Sequence, residues 1–276
     1  MATGVWHALA DPWTSALMRR AFTEIVLVAV AGGGVGCWVV LFELSYGAES
    51  LAHALLPGLV LGALVGAPLL LGAGAGIAVA ALAIALASNL REVQSDTAIA
   101  VVVTTLVGLG ALLALSPASP PGLQSLLFGG VLGTSDGDLL GAGALVALIG
   151  LVLAIAHPRL VAVGFDARST PALGVSPLRA RAVLGGLLAL TTLVAVPGLG
   201  SLLVLALVIG PAATARRLAS RIGPMLALAI GLGVVGGVAG LYLSYYANVA
   251  AGPAIAGTVV ATYLLVRGAT PGYAQA

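Results

Sequence analysis

Residues 54–89 read ALLPGLVLGALVGAPLLLGAGAGIAVAALAIALASN, 36 positions without one charged side chain. Widened to 50–90, the run covers 41 residues. As one helix it would extend ~60 Å at ~1.5 Å per residue, twice the ~30 Å of a bilayer's hydrocarbon core. It must fold back on itself, and Gly66-Ala67-Pro68 is the break. Two membrane-crossing helices are therefore written in this stretch alone. Just ahead of it stand Glu49 and His53, four residues apart. At i, i+4 a carboxylate and an imidazole share one helix face. At the mouth of a span otherwise fit only for lipid, they cost several kcal/mol unless they have a partner or a task.

The rest of the chain follows suit. Apolar residues fill 61% of 276 positions and charged residues 7%, against roughly 45–50% and 25% in soluble domains. A soluble fold has no way to hide that much apolar surface, so the bilayer is the solvent. All eleven basic residues are arginine. Without lysine there is no G-x-x-x-x-G-K-[ST] phosphate loop and no ATP hydrolysis by that route. Cys37, the single cysteine, excludes an intrachain disulfide and a cysteine zinc cluster. A net charge of +2 leaves no electrostatic footprint for nucleic acid. No cleavable signal is expected, because the first twenty residues lack an apolar core and the run from Ala21 is long enough to span.

Further spans are read at 21–42, 97–115, 139–156, 182–196, 202–215, 224–246 and 253–266. The fold class is thus all-α: a polytopic integral membrane helical bundle of about nine transmembrane helices, or eight to ten if short spans merge or split. An interfacial segment (1–20), one transmembrane domain (21–267) and a tail (268–276) complete the organisation. Arginine accumulates on the cytoplasmic side of membrane proteins. The loop 157–181 carries Arg159, Arg168, Arg179 and Arg181, and the turn after the seventh span carries Arg216, Arg217 and Arg221. Both loops are therefore expected inside, with Arg91 and Glu92. Counting back puts the N-terminus outside, where Arg19-Arg20 run against the rule. Residues 8–20, with Trp13, Leu17 and Met18, are expected to lie along the outer surface. Gly58, Gly62 and Gly66, then Gly233/Gly237 and Gly236/Gly240, form small-xxx-small stripes that let helices approach closely.

Other polar residues have plainer readings. Glu24 is expected at the interface, as are Tyr245 and Tyr246. His157, before Pro158, is expected at a helix end, where the dipole favours it. Asp136 and Asp138 read as turn and helix cap. Asp96 opens the fourth span, and capping accounts for it as well as a pathway role does.

Several segments together resemble the permeases of metal-uptake ABC transporters, those serving zinc, manganese and chelated iron. Tyr46-Gly47 and Glu49-Ser50-Leu51-Ala52-His53-Ala54-Leu55-Leu56-Pro57-Gly58 resemble the family's second-span signature. Ser95-Asp96-Thr97-Ala98-Ile99 resembles the start of its fourth span, and Leu127-Phe128-Gly129-Gly130-Val131-Leu132-Gly133 its outer segment. Gly164-Phe165-Asp166 and Ala172-Leu173-Gly174-Val175 resemble the loop that couples to the ATPase. Gly200-Ser201-Leu202-Leu203 through Ile209-Gly210-Pro211-Ala212-Ala213-Thr214-Ala215 resembles the seventh span. Leu243-Ser244-Tyr245-Tyr246 with Ala251-Gly252-Pro253 resembles the final hairpin. Family members more often carry Asp-x-x-Ser-His where this chain has Glu49-Ser50-Leu51-Ala52-His53. The longer carboxylate and the missing hydroxyl at Ala52 mean that metal preference does not carry over. Glu43 also stands where the family often has an arginine pair.

The resemblance implies a multi-pass protein of a bacterial-type plasma (inner) membrane. Two permease subunits would form a pathway between them, an ATPase subunit would dock on each, and an extracytoplasmic metal-binding protein would deliver the ion. No cofactor is expected to bind tightly; the divalent metal is cargo. Glu49 and His53, with Asp96 as a further pathway residue or a cap, would offer oxygen and nitrogen ligands that suit Zn²⁺, Mn²⁺ or Fe²⁺ alike. Phe165, Asp166, Arg168, Leu173 and Gly174 would form the ATPase-coupling surface. Two other readings stay open. A secondary transporter should show internal repeats, and Glu-x-x-x-His has no counterpart in 139–276. A non-transport scaffold needs only the glycine packing.

Overall fold

The computed structural model describes residues 10–67, 69–88, 95–115, 135–199 and 201–270, which form helices with no strand among them. In chain order these are α1 (Ala16–Leu41), α2 (Ser45–Leu64), α3 (Leu69–Ser88), α4 (Ser95–Ala114), α5 (Asp136–Phe165), α6 (Pro177–Leu199), α7 (Ser201–Leu218), α8 (Ile222–Ala247) and α9 (Ala251–Ala269). A single 3₁₀ turn, Thr170–Leu173, lies between α5 and α6. Five of the nine (α1, α5, α6, α8 and α9) are long and apolar enough to cross a membrane, and α2, α3 and α4 contain shorter apolar runs.

Turn chemistry sets the breaks. At the end of α2, Gly66 takes a left-handed φ of +69°. Its N–H reaches the carbonyl of Ala63 at 3.3 Å, and the Ala67 N–H reaches that of Gly62 at 2.9 Å. This is the paired-carbonyl stop that glycine permits at no steric cost, and it folds the long apolar run back where the sequence predicts. α5 begins differently. The Ser135 hydroxyl accepts from the Asp138 N–H at 3.2 Å while the Asp138 carboxylate accepts from the Ser135 N–H at 3.0 Å, a reciprocal cap on two free donors.

α1 is the hub. It packs on α8, α7, α5 and α6, while α2, α3 and α4 form a second group that joins through α2 against α7 and α6. Lipid tails are as apolar as leucine, so burial here gains close contact rather than relief from water. The glycines supply that contact. A side chain at Gly36 would strike the carbonyl oxygen of Val208 on α7, and one at Gly240 would strike the Ile255 backbone on α9. Gly58 lies equally close to Gly72 and Gly76 of α3. Gly58, Gly62, Gly233, Gly236, Gly237 and Gly240 of the sequence-read stripes thus make contacts within one chain, whereas Gly66 serves the turn and a Cβ there would meet nothing within 4 Å.

Cross-ties define the two ends. At one, the Arg216 guanidinium donates to the Val40 carbonyl at 3.2 Å, and Arg217 to that of Thr270 at 2.9 Å. This arginine-rich end also holds the connection from α5 to α6. At the other, Trp13 stacks on Phe22 with ring centroids 4.2 Å apart and donates to the Tyr242 hydroxyl at 2.7 Å. The segment holding Trp13 is therefore docked on the bundle. Arg19 and Arg20 sit at this second end, and their surroundings explain how two cations are tolerated there. Arg20 makes a two-pronged pair with Asp136 at 2.7 and 2.9 Å, and Arg19 donates to the carbonyls of Trp13 and Thr14, both at 3.0 Å.

Three expectations need correction. α5 does not stop near Ala156 but runs through His157 and Pro158 to Phe165, so the connection between α5 and α6 is 166–176, with the 3₁₀ turn inside it, rather than 157–181. His157 is accordingly no helix-end residue; its ring packs edge-on against Trp38, centroids 5.4 Å apart. Glu24 is not interfacial: α1 starts five residues earlier than expected, and Glu24 is buried and partnered within the chain. Asp136 does more than cap, since it holds Arg20. Residues 1–9 of the N-terminal segment, Arg91, Glu92 and 127–133 lie outside the described residues.

Candidate metal pathway

α2 begins at Ser45, which moves the polar pair from the mouth of the span into it. Glu49 is the fifth residue of the helix and His53 the ninth of 20, so His53 lies about 12 Å along a ~30 Å rod. The His53 ring is half-buried, and Ser50 between the two is buried and partnered. Of Glu49 and Asp96 the helical backbone alone is described; the i, i+4 register keeps Glu49 on the His53 face. Beyond His53 the same face continues through Pro57 and Val60, both buried, to the half-buried Leu64.

Pro57 lies inside α2 and alters the backbone beside His53. Proline has no N–H, so the carbonyl four residues before it, that of His53, loses its helix partner. One residue thus carries an imidazole and, at mid-span, a carbonyl with no i+4 N–H to accept from. The signal was in the sequence as the spacing from His53 to Pro57. α4 packs beside α2 and runs parallel to it. Asp96, its second residue, therefore stands at the same end as Ser45. Asp96, Glu49 and His53 occupy successive levels from that end toward the middle. Among the described residues no three His, Cys, Asp or Glu side chains converge.

The second predicted surface is compact. Phe165 ends α5 and is 93% exposed, and Leu173 is 74% exposed at the end of the 3₁₀ turn. Between them the Asp166 carboxylate accepts from the N–H groups of Arg168 at 3.0 Å and Ser169 at 3.2 Å. Hydrogen bonds from the Ser169 side chain and then its N–H, with that of Arg168, hold the Asp166 carboxyl below the ordinary carboxylate range. Gly174 closes the turn at φ +73°, a left-handed position that leaves Leu173 outward at no strain. The five residues predicted for coupling therefore fall on one short, ordered projection at the arginine-rich end.

A bundle of apolar helices tied at two distinct ends, most of them long enough to cross a bilayer, is the architecture of a multi-pass membrane protein. The chain belongs to the ABC 3 transport family, whose model matches residues 14–269; it is a multi-pass protein of the plasma membrane. It is similar to the manganese transport system membrane protein MntC of Halalkalibacterium halodurans, 34% identical over 86% of this chain and 82% of that one. The chelated iron transport system membrane protein YfeC of Yersinia pestis is 30% identical over 90% and 84%. Among solved structures, PsaBC from Streptococcus pneumoniae in complex with Fab matches with a TM-score of 0.88 and 28% identity, covering 95% of both chains.

Proposed function

We propose that this chain is the permease subunit of an ATP-driven importer of a divalent metal ion: zinc, manganese or iron. Two such subunits form the pathway between them, a separate ATPase subunit drives it, and an extracytoplasmic binding protein supplies the ion. The observation that carries this reading is the half-buried His53 at mid-span, one turn from Glu49 in an otherwise apolar helix. A second subunit set beside α2 would close the pathway. His53, Glu49 and the freed His53 carbonyl would hold the ion weakly, as passage requires. Asp96 would take it at the arginine-rich end, which we assign to the cytoplasm. The absence of lysine from the sequence agrees with hydrolysis on another chain. Phe165, Asp166, Arg168, Leu173 and Gly174 would receive that chain.

Reconstitution with the ATPase and binding protein tests the reading. His53→Ala and Glu49→Gln should each abolish or strongly reduce metal uptake while the complex still assembles, since each removes a ligand and little packing volume. Normal uptake by the double variant would refute the assignment.

A further inference from the structure

A cleft of about 480 Å³ opens between α3, α5 and α6, lined by Gly74, Ile77, Val152, Val183, Gly186 and Leu193 among others. Among the described residues, every side chain on its wall is apolar. A Cβ at Gly74 or Gly186 would meet nothing within 4 Å, so these glycines leave space rather than seat a neighbouring helix. Along α6 the cleft runs from Val183 to Leu193, ten residues or ~15 Å of helix. That is the depth of one leaflet, half of a ~30 Å hydrocarbon core.

The arginine-rich end of the cleft carries charge in register. Arg179 precedes Val183 by four residues and Gly186 by seven, on the same α6 stripe. Arg159 follows Val152 by seven on α5, which runs antiparallel to α6 and packs on it. Both arginines are exposed, and among the described residues neither is in an ion pair. The carboxylate nearest in sequence to Arg159, Asp166, is occupied by loop N–H groups. Two guanidinium groups without an ion pair among the described residues therefore stand at headgroup level over an apolar slot one leaflet deep.

We propose that this cleft holds an acyl chain of one anionic phospholipid, with its phosphate on Arg159 and Arg179. An apolar cavity offers water no partners, so a hydrocarbon chain is the fitting occupant. Basic pockets between transmembrane helices select lipids by headgroup charge. The proposal holds whatever ion is carried.

The full-length permease, purified in mild detergent and assembled into nanodiscs of mixed phosphatidylglycerol and phosphatidylcholine, provides the test. Native mass spectrometry should find one retained phosphatidylglycerol per chain in preference to phosphatidylcholine. Gly186→Leu fills open space and should lose that lipid without a change in oligomeric state or melting temperature. Arg159→Gln with Arg179→Gln should keep a lipid but lose the preference; if Gly186→Leu does not fold, this variant decides. Equal retention of both lipids by the unaltered chain would overturn the proposal, as would full retention by Gly186→Leu. Loss of self-association in Gly186→Leu would also overturn it, by making the cleft a contact between copies.

Discussion

At the residue level, Pro57 decides what His53 can offer. An ordinary residue there would return an N–H to the His53 carbonyl and leave the imidazole alone at mid-span. Replacing an interior proline by alanine relieves up to about 3 kcal/mol of helix disfavour in water, and less in a membrane helix, where neighbours re-satisfy the freed groups. Pro57→Ala should therefore raise the melting temperature of the purified permease while lowering metal uptake. A stabilised variant with full uptake would remove the carbonyl from the pathway. Pro158 frees a carbonyl in the same way, that of Ala154, but beside it His157 turns to Trp38 rather than toward a cation.

Among elements, the contact of α1 with α7 shows what small residues do here. Pro211 lies inside α7 and frees the carbonyl of Leu207. A Cβ at Gly32 would lie 3.4 Å from that oxygen, and one at Gly36 would strike the carbonyl of Val208. The two helices meet backbone to backbone. Gly36→Ala must push them apart and should cost ~1–3 kcal/mol, the usual range for overpacking. Gly185→Ala, where nothing lies within 4 Å, should be silent. Comparing their melting temperatures in one detergent checks both. The α5–α6 projection makes a different demand. Phe165 is exposed, so Phe165→Asp should leave the isolated permease as stable as before. If Phe165 anchors the ATPase, its loss should weaken that complex by ~2 kcal/mol or more. Unaltered co-purification and unaltered metal-stimulated hydrolysis would move docking elsewhere.

Helix edges were legible wherever a local signal acts. Gly66 ends α2 because a left-handed stop is a property of two or three neighbouring residues. Pro158 misled for a related reason: proline stops helices in water, where freed carbonyls have no better use, whereas a packed membrane helix accommodates it. The face that carries Glu49 and His53 follows from spacing alone. The tie between Arg20 and Asp136 does not, because its partners are 116 residues apart and meet only once five helices are in place.

For the molecule as a whole, the cross-ties bind its orientation to its packing. With Cys37→Ser as background, single cysteines at Ser169 and Ser220 should react with a membrane-impermeant thiol reagent from the cytoplasmic side alone. A cysteine at Val249, at the opposite end of α8, should react from outside. Labelling of all three from one side would mean that the span count is wrong by one.

Arg20 leaves the ribosome 116 residues before Asp136, and at ~5–20 residues per second that gap is roughly 6–23 s of synthesis. With the arginine-rich end assigned to the cytoplasm, α1 would enter the bilayer in that interval with two cations on its outer flank, against the arginine preference. Arg19 has carbonyl partners close by in sequence, whereas Arg20 gains its carboxylate only with the fifth helix. The finished chain would then hold α1 in a direction that its half-made form resists.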